Sequence, residues 1–278
     1  MQMIAGYTEH AADVRGLRMH YLEWGDAAAP PVVLLHGLTG HAHIWDHMAP
    51  ELARRYHLIA LDQRGHGNTS HAEHYETREF AADLEELRSQ LGIERFVLMG
   101  LSMGGHNAMA YAAAHPERIA ALIVIDIPPK MDRTQSPNYA ENAKLAETGH
   151  VRFATFDQAV ANARAGTPTA PEDNLRYRTW SNLAEQPDGT LMFKYDPNVS
   201  ALWDPEDLSG VLPSLKMPVL LVRGERTTVL RQDVAAEMLA AFPDADFVEI
   251  PESGHSVPTD RPEDLTPVVL QWLARRGF

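Results

Sequence analysis

With 278 residues, 45% of them hydrophobic, the chain is long enough to bury the core of one large domain and to carry an inserted subdomain. A formal charge of −14 fits neither a nucleic-acid surface nor an anionic membrane surface, and points to an acidic protein acting on a small molecule. The absence of cysteine excludes thiol nucleophiles, disulfides and cysteine-ligated metals. Residues 1–10 lack a basic stretch followed by an apolar one, and no run of about eighteen apolar residues occurs, so a cytoplasmic protein is expected. Alternation across 13–24, broken at Arg15-Gly16, predicts an antiparallel hairpin leading into the apolar run 31–35. Short runs rich in Val, Ile and Leu at 32–35, 57–61, 96–99, 121–125, 219–223 and 247–250 predict strands buried on both faces of a parallel sheet. Helical spacing fills the gaps at 77–91, where Phe80, Leu84, Leu87 and Leu91 share a face, and at 105–114, 232–241 and 262–275. Strand and helix in strict succession predict an α/β fold with a doubly wound, mostly parallel sheet.

Between 128 and 215 the rhythm fails. No strand is predicted there, Trp180 and Trp203 occur, and prolines interrupt at 137, 168, 171, 187, 197, 205 and 213. Because the sheet pattern resumes at Pro218, the expected organisation is a core domain from 1–127 and 216–278 with a helical cap from 128–215. The cap is expected over the C-terminal edge of the sheet, where open α/β sheets bind ligands.

Residues 96–105 read Phe-Val-Leu-Met-Gly-Leu-Ser-Met-Gly-Gly, an apolar strand running into Gly-x-Ser-x-Gly and then a helix start. That is the context of a nucleophile elbow, in which a sharply turned serine stands above the sheet between two nearly side-chain-free neighbours. Ser102 is therefore the candidate nucleophile. A serine hydroxyl needs a base within hydrogen-bond reach, and the base needs a partner fixing its tautomer. Among fourteen histidines, His255 stands out: it follows the last strand in Pro-Glu-Ser-Gly-His, on a loop that returns to the edge bearing Ser102.

Ser102 in its elbow, His36-Gly37 after one strand, Asp62-Gln-Arg-Gly-His-Gly after the next, and the late Gly254-His255 together resemble the α/β-hydrolase fold family. The resemblance spans nearly the whole chain outside the insertion. It implies an oxyanion hole formed by the backbone N–H groups of Leu38 and Met103. It also implies a structural role for the turn at 62–70, with Arg64 paired locally. The acid departs from the family's commonest pattern: where many relatives read Gly-x-x-Asp, this chain reads Gly224-Glu225-Arg226-Thr227. The family's other acid position, directly after the 121–125 strand, holds Asp126, and a carboxylate at the mouth of a buried strand calls for a partner such as the His255 imidazole. Glu225 remains open as a competitor, as does a Ser102–His255 dyad with Asp126 capping the turn before Pro128-Pro129.

Candidate substrate contacts are His36, Gly37, Trp180, Trp203, Arg176 and Arg226. Trp45 and Phe193 are further candidates for an apolar pocket, and Arg178 for anchoring a substrate carboxylate. The tryptophans fit the core of the insertion equally well, and the arginines a solvated face. His41, His43, His47, His71 and His74 have no carboxylate placed beside them, so neither a metal nor a cofactor is expected.

Dehalogenases and epoxide hydrolases of the family carry aspartate in the elbow, whereas a serine forms acyl-enzymes. The expected function is hydrolysis of a small-molecule carboxylic ester, lactone or similar acyl compound, with His255 assisting the deacylating water; a homodimer stays open. Three alternatives remain. Carbon–carbon hydrolases of ring-cleavage products resemble the elbow, but Thr227 and Ser256 stand where they carry aspartate and an aromatic residue. Cofactor-free oxygenases share the acid position of Asp126. Ligand receptors of this fold keep the three residues and turn over slowly.

Overall fold

The computed structural model describes residues 6–131 and 139–278; the first five residues of the N-terminal reading and 132–138 of the insertion, Pro137 included, lie outside the described residues. The chain enters through the hairpin β1 (Thr8–Val14) and β2 (Leu17–Trp24), whose two-residue turn has Arg15 and Gly16 both at positive φ, matching the twist of the strands. Next come β3 (Pro31–Leu35), the single turn α1 (Ala49–Leu52), β4 (His57–Leu61), α2 (Thr77–Gln90), β5 (Phe96–Leu101), α3 (Met103–Ala114) and β6 (Ile119–Ile125). The insertion holds α4 (Tyr139–Thr148), α5 (Phe156–Gly166), α6 (Glu172–Ser181), β7 (Leu183–Glu185), β8 (Leu191–Phe193) and α7 (Pro197–Leu202). The core resumes with β9 (Val219–Gly224), α8 (Gln232–Ala241), β10 (Ala245–Ile250), the short α9 (Val257–Asp260) and α10 (Pro262–Arg275). Among the described residues no helix is long and apolar enough to cross a membrane.

Eight strands form one sheet in the order β1-β2-β4-β3-β5-β6-β9-β10, antiparallel at the β1–β2 and β2–β4 pairs and parallel elsewhere. Alternate residues of each strand feed opposite faces, as the two-residue strand period requires: Val33 and Leu35 pack with α2, α3 and α8, while Val32 and Leu34 pack with α1 and α10. Each face is thus covered by helices. The central strands β5 and β6 are buried along their whole length, which is why their sequence is a continuous apolar run rather than an alternating one.

The sequence predicts no strand in the insertion, and β7–β8 corrects that. The two strands are three residues each and half-buried, too short for a period-two pattern to stand out. Polar side chains join the insertion to the core: Tyr75 donates its hydroxyl to Asp196 (2.6 Å), Tyr177 to Asp46 (2.5 Å), and Asn174 its amide to the Thr259 carbonyl (3.0 Å). A small apolar cluster of Tyr75, Phe80, Met103, Tyr195, Val199 and Trp203 completes the seam.

Candidate active site

Strand register builds the site. In the β5–β6 ladder Leu101 lies opposite Ile125, so the next residues, Ser102 and Asp126, leave the sheet side by side. The Ser102 N–H donates to the Ile125 carbonyl and the Asp126 N–H to the Val222 carbonyl, both at 2.8 Å, carrying the ladder one residue past the strands. Both residues then turn at positive φ (53° and 54°), and Thr39 across the site does the same at 60°. Three of the five non-glycine residues with positive φ among those described therefore sit at this edge, where surrounding packing must hold a conformation costing about 1–3 kcal/mol each. The glycines flanking Ser102 are required sterically: a Cβ at Gly100 would collide with the Gly104 carbonyl, and one at Gly104 with the Leu35 carbonyl. The strand and the helix of the elbow touch backbone to backbone.

The β9–β10 register, with Gly224 opposite Ile250, brings the loop after β10 to the same edge. There His255 sits between the two turned residues. Ser102 Oγ lies 2.9 Å from His255 Nε2, and His255 Nδ1 lies 2.6 Å from Asp126 Oδ2. The carboxylate accepts a hydrogen bond from Nδ1–H, which leaves Nε2 as the acceptor for the serine hydroxyl. Asp126 is fully buried and receives a further hydrogen bond from the Thr227 hydroxyl at 2.6 Å, on the same oxygen that His255 uses. Thr227 in turn accepts from the Val229 N–H at 3.1 Å, so its donor is aimed at Asp126. Sequence reading identified Thr227 only as the missing aspartate; its contact with Asp126 depends on how β6 and β9 pair. Glu225 points elsewhere, accepting the Glu252 N–H at 2.7 Å, and does not reach His255.

Of the two residues expected to supply an oxyanion hole, Leu38 lines the same cavity as Ser102 and Met103 directly follows Ser102. Among the described residues the Leu38 N–H makes no hydrogen bond, and the Met103 N–H opens α3, with no helical carbonyl four residues back to receive it. Gly37 lets this loop come close: a Cβ there would lie 3.1 Å from Ser102 Cβ. The loop is fixed by two buried histidines. The His36 Nδ1–H donates to the Gly37 carbonyl (2.8 Å) while Nε2 accepts the Gln63 N–H (3.0 Å); His66 Nε2 accepts the Thr39 N–H (3.1 Å). Burial pulls the His36 imidazole down to about 4 and that of His66 to about 3, so both stay neutral and serve as acceptors at neutral pH.

A cavity of about 360 Å³ opens over Ser102 and His255, walled by the 37–40 loop on one side and by α5, α6 and the β8–α7 segment of the insertion on the other. Of the predicted contacts, Gly37 and Trp203 line it, as do Phe193 and Arg178. Four do not. His36 is fully buried behind the loop; Trp180 is 43% exposed on the outer side of α6; Arg176 pairs with Asp157 at 2.8 Å and stacks on Phe156; Arg226 pairs with Glu252 at 3.2 Å on the surface. Trp45 is likewise a core residue, fully buried among Leu34, Met48 and Leu52. Two steps of about 100° place Arg176 and Arg178 about 200° apart on α6, which no composition argument resolves without knowing which face of α6 is inward. Sequence reading also missed Asn182 and Tyr195, which line the cavity from segments it left unassigned. Arg64 pairs not within its own turn but bidentately with Asp83 of α2, at 2.7 Å on both oxygens. Of the loop histidines, His43 bonds Asp46 (2.9 Å) and His41 the Arg178 carbonyl (3.1 Å); among the described residues no three His, Asp or Glu side chains gather as metal ligands would.

Residues 30–262 match the family profile of the alpha/beta hydrolase fold, so the chain belongs to the α/β-hydrolase family. Two relatives match the chain over most of their own length. The sn-1-specific diacylglycerol lipase ABHD11 of Mus musculus is 29% identical over 95% of this chain and 87% of its own length, and Esterase Rv0045c of Mycobacterium tuberculosis is 28% identical over 92% and 86%. The crystal structure of E-2-(acetamidomethylene)succinate hydrolase shares the fold with a TM-score of 0.86 at 24% identity, over 96% of this chain and 99% of that one.

Proposed function

We propose that the chain is a serine hydrolase that cleaves a small carboxylic ester, lactone or similar acyl compound through an acyl-enzyme on Ser102. The observation that carries this reading is the unbroken hydrogen-bond chain from Ser102 Oγ through His255 to Asp126, at 2.9 and 2.6 Å, on the floor of the cavity. As Ser102 attacks the acyl carbon, His255 Nε2 takes its proton, and buried Asp126 stabilises the imidazolium that forms. The Leu38 and Met103 N–H groups meet the developing oxyanion, aided by the positive end of α3. His255 then returns the proton to the leaving alkoxide, and the same imidazole deprotonates the water that releases the acid. The esterase and lipase among the relatives support the reaction class.

The test is turnover of 4-nitrophenyl acetate and butyrate by wild type and Ser102→Ala, with a fluorophosphonate label located by mass spectrometry. Ser102→Ala is expected to lose about 10⁵- to 10⁶-fold in kcat and all labelling. A Ser102→Ala protein that keeps its activity would overturn the reading in favour of proton abstraction by the His255–Asp126 pair alone.

A further inference from the structure

Arg178 differs from every other described arginine of the insertion. Arg152 pairs with Asp188 (3.1 Å), Arg164 with Glu172 (2.6 Å) and Arg176 with Asp157 (2.8 Å). The Arg178 side chain meets only the Ser256 hydroxyl, 3.2 Å from Nη1, among the described residues. A guanidinium offers five N–H donors in a fixed fork, so most of its hydrogen-bonding capacity is unspent. The one carboxylate whose charge it feels, Asp260, lies beyond ion-pair range, and Asp260 Oδ2 already accepts from the Thr169 hydroxyl (2.6 Å) and the Gly254 N–H (2.8 Å). Burial accordingly pulls the Arg178 guanidinium below the ordinary arginine value.

This cation faces the cavity over Ser102. Among the described residues lining that cavity it is the one formally charged side chain, and no carboxylate lines it. Its bonding partner Ser256 directly follows His255, so the guanidinium stands beside the imidazole that would act in catalysis. Arg178 is also held in place. Its carbonyl is bonded by His41 (3.1 Å), and α6 is tied down on either side by Tyr177 to Asp46 (2.5 Å) and by Asn182 to the Thr39 carbonyl (3.0 Å). Asn182 lines the same wall, and its amide is already committed to the Thr39 carbonyl, so Arg178 is the unspent donor there. An apolar acyl chain would leave the Arg178 cation desolvated and unmatched, which is costly.

We infer that the site takes a substrate bearing a carboxylate a few bonds from the scissile acyl group, received bidentately by Arg178, so that the preferred substrates are half-esters of dicarboxylic acids or esters of hydroxy acids. This specificity rests on the serine-hydrolase reading. A carboxylate fits the fork geometry and the cavity's size, about 360 Å³.

The experiment compares kcat/KM for two matched pairs, each differing in one carboxylate: monoethyl glutarate against ethyl valerate, with the charge on the acyl side, and 4-acetoxybutyrate against butyl acetate, with the charge on the alcohol side. Wild type is expected to prefer the anionic member of at least one pair by about 100-fold. In Arg178→Gln that ratio should fall to about one, with Arg178→Lys between the two because it keeps the charge and loses the fork. A wild-type ratio near one in both pairs overturns the inference while leaving the hydrolase reading intact, and that outcome needs no folded variant. If no ester turns over and Ser102 takes no fluorophosphonate, the hydrolase reading has failed. Calorimetric titration with glutarate then decides the anion site alone: binding by wild type that weakens at least about tenfold in Arg178→Gln sustains it, and no binding by wild type ends it.

Discussion

At the sheet edge, Ser102 and Asp126 are placed by the backbone: each follows a strand whose residues are almost entirely buried, and each main-chain N–H extends the ladder by one more bond. In the insertion, Arg178 and Asn182 are placed by side chains, through single hydrogen bonds to residues 78 and 143 positions away. Backbone ladders flanked by apolar packing give little room for adjustment, and a nucleophile needs that fixity. Side-chain ties to a half-buried helix are individually weak and replaceable. On the proposed reading, the chemistry stays with the sheet while the substrate preference is set by the insertion.

The largest effect that tests this division is at the acid. Asp126→Asn keeps the shape and withdraws the charge, so His255 takes the wrong tautomer and kcat is expected to fall about 10⁴-fold with KM changed far less. Glu225→Gln, on the far side of the turn, should leave both parameters within a factor of two. Equal losses in the two variants, or a loss in Glu225→Gln alone, would mean that the edge does not assign the acid by strand register.

Most of the sheet was legible because buried parallel strands are written as unbroken Val, Ile and Leu runs: 57–61 coincides with β4, and 121–125 and 219–223 fall within β6 and β9. Ser102 and His255 were legible because one stands in a turn that tolerates few sequences and the other follows the last strand. Asp126 was preferred over Glu225 from sequence, but Glu225 stayed open, since the choice depends on which turn faces His255. The insertion was opaque for a physical reason. Helix α6 shows little apolar face to read: it buries Leu175, Tyr177, Thr179 and Ser181, a mixture in which hydroxyls that bond carbonyls one turn back replace leucines. Arg176 and Arg178 are indistinguishable until the helix is docked.

A smaller effect probes how deeply the 37–40 loop is sealed at the sheet side of the boundary. His36 is neutral in the folded protein with its imidazole lowered to about 4 by burial, against 6.5 when unfolded. Above pH 6.5 both states are neutral there and the full stability is present. As the pH falls from 6.5 towards 4 the unfolded chain takes up a proton that the folded one refuses, so stability drops, by about 3 kcal/mol at the lower end for this one group. Urea unfolding of wild type and His36→Gln across pH 7 to 4 should show a shallower acid loss in the variant, by about that amount, whatever its stability at pH 7. Parallel curves would mean that water reaches His36 and that the loop carrying Gly37 and Leu38 is less fixed than the strands it follows.

The smallest effect belongs to the insertion. The Tyr177 hydroxyl donates to Asp46 Oδ2 at 2.5 Å, and Asp46 is fully buried with its other oxygen unpartnered among the described residues, so Tyr177→Phe leaves Oδ2 with His43 alone. Losing a hydrogen bond to a buried charged acceptor costs about 1.5–3 kcal/mol locally. If α6 is held to the edge by such separate ties, the cost appears as local opening: amide exchange should speed up in α6 and the 182–195 hairpin by about ten- to a hundredfold, with β5 and β6 nearly unchanged. Because Arg178 rides on the loosened helix, KM for a carboxylate-bearing ester should rise several-fold while kcat moves little. Exchange that accelerates equally in β5, β6 and α6 would show sheet and insertion opening as one cooperative unit, and the contrast between ladder-placed and side-chain-placed residues would no longer describe how this site is held.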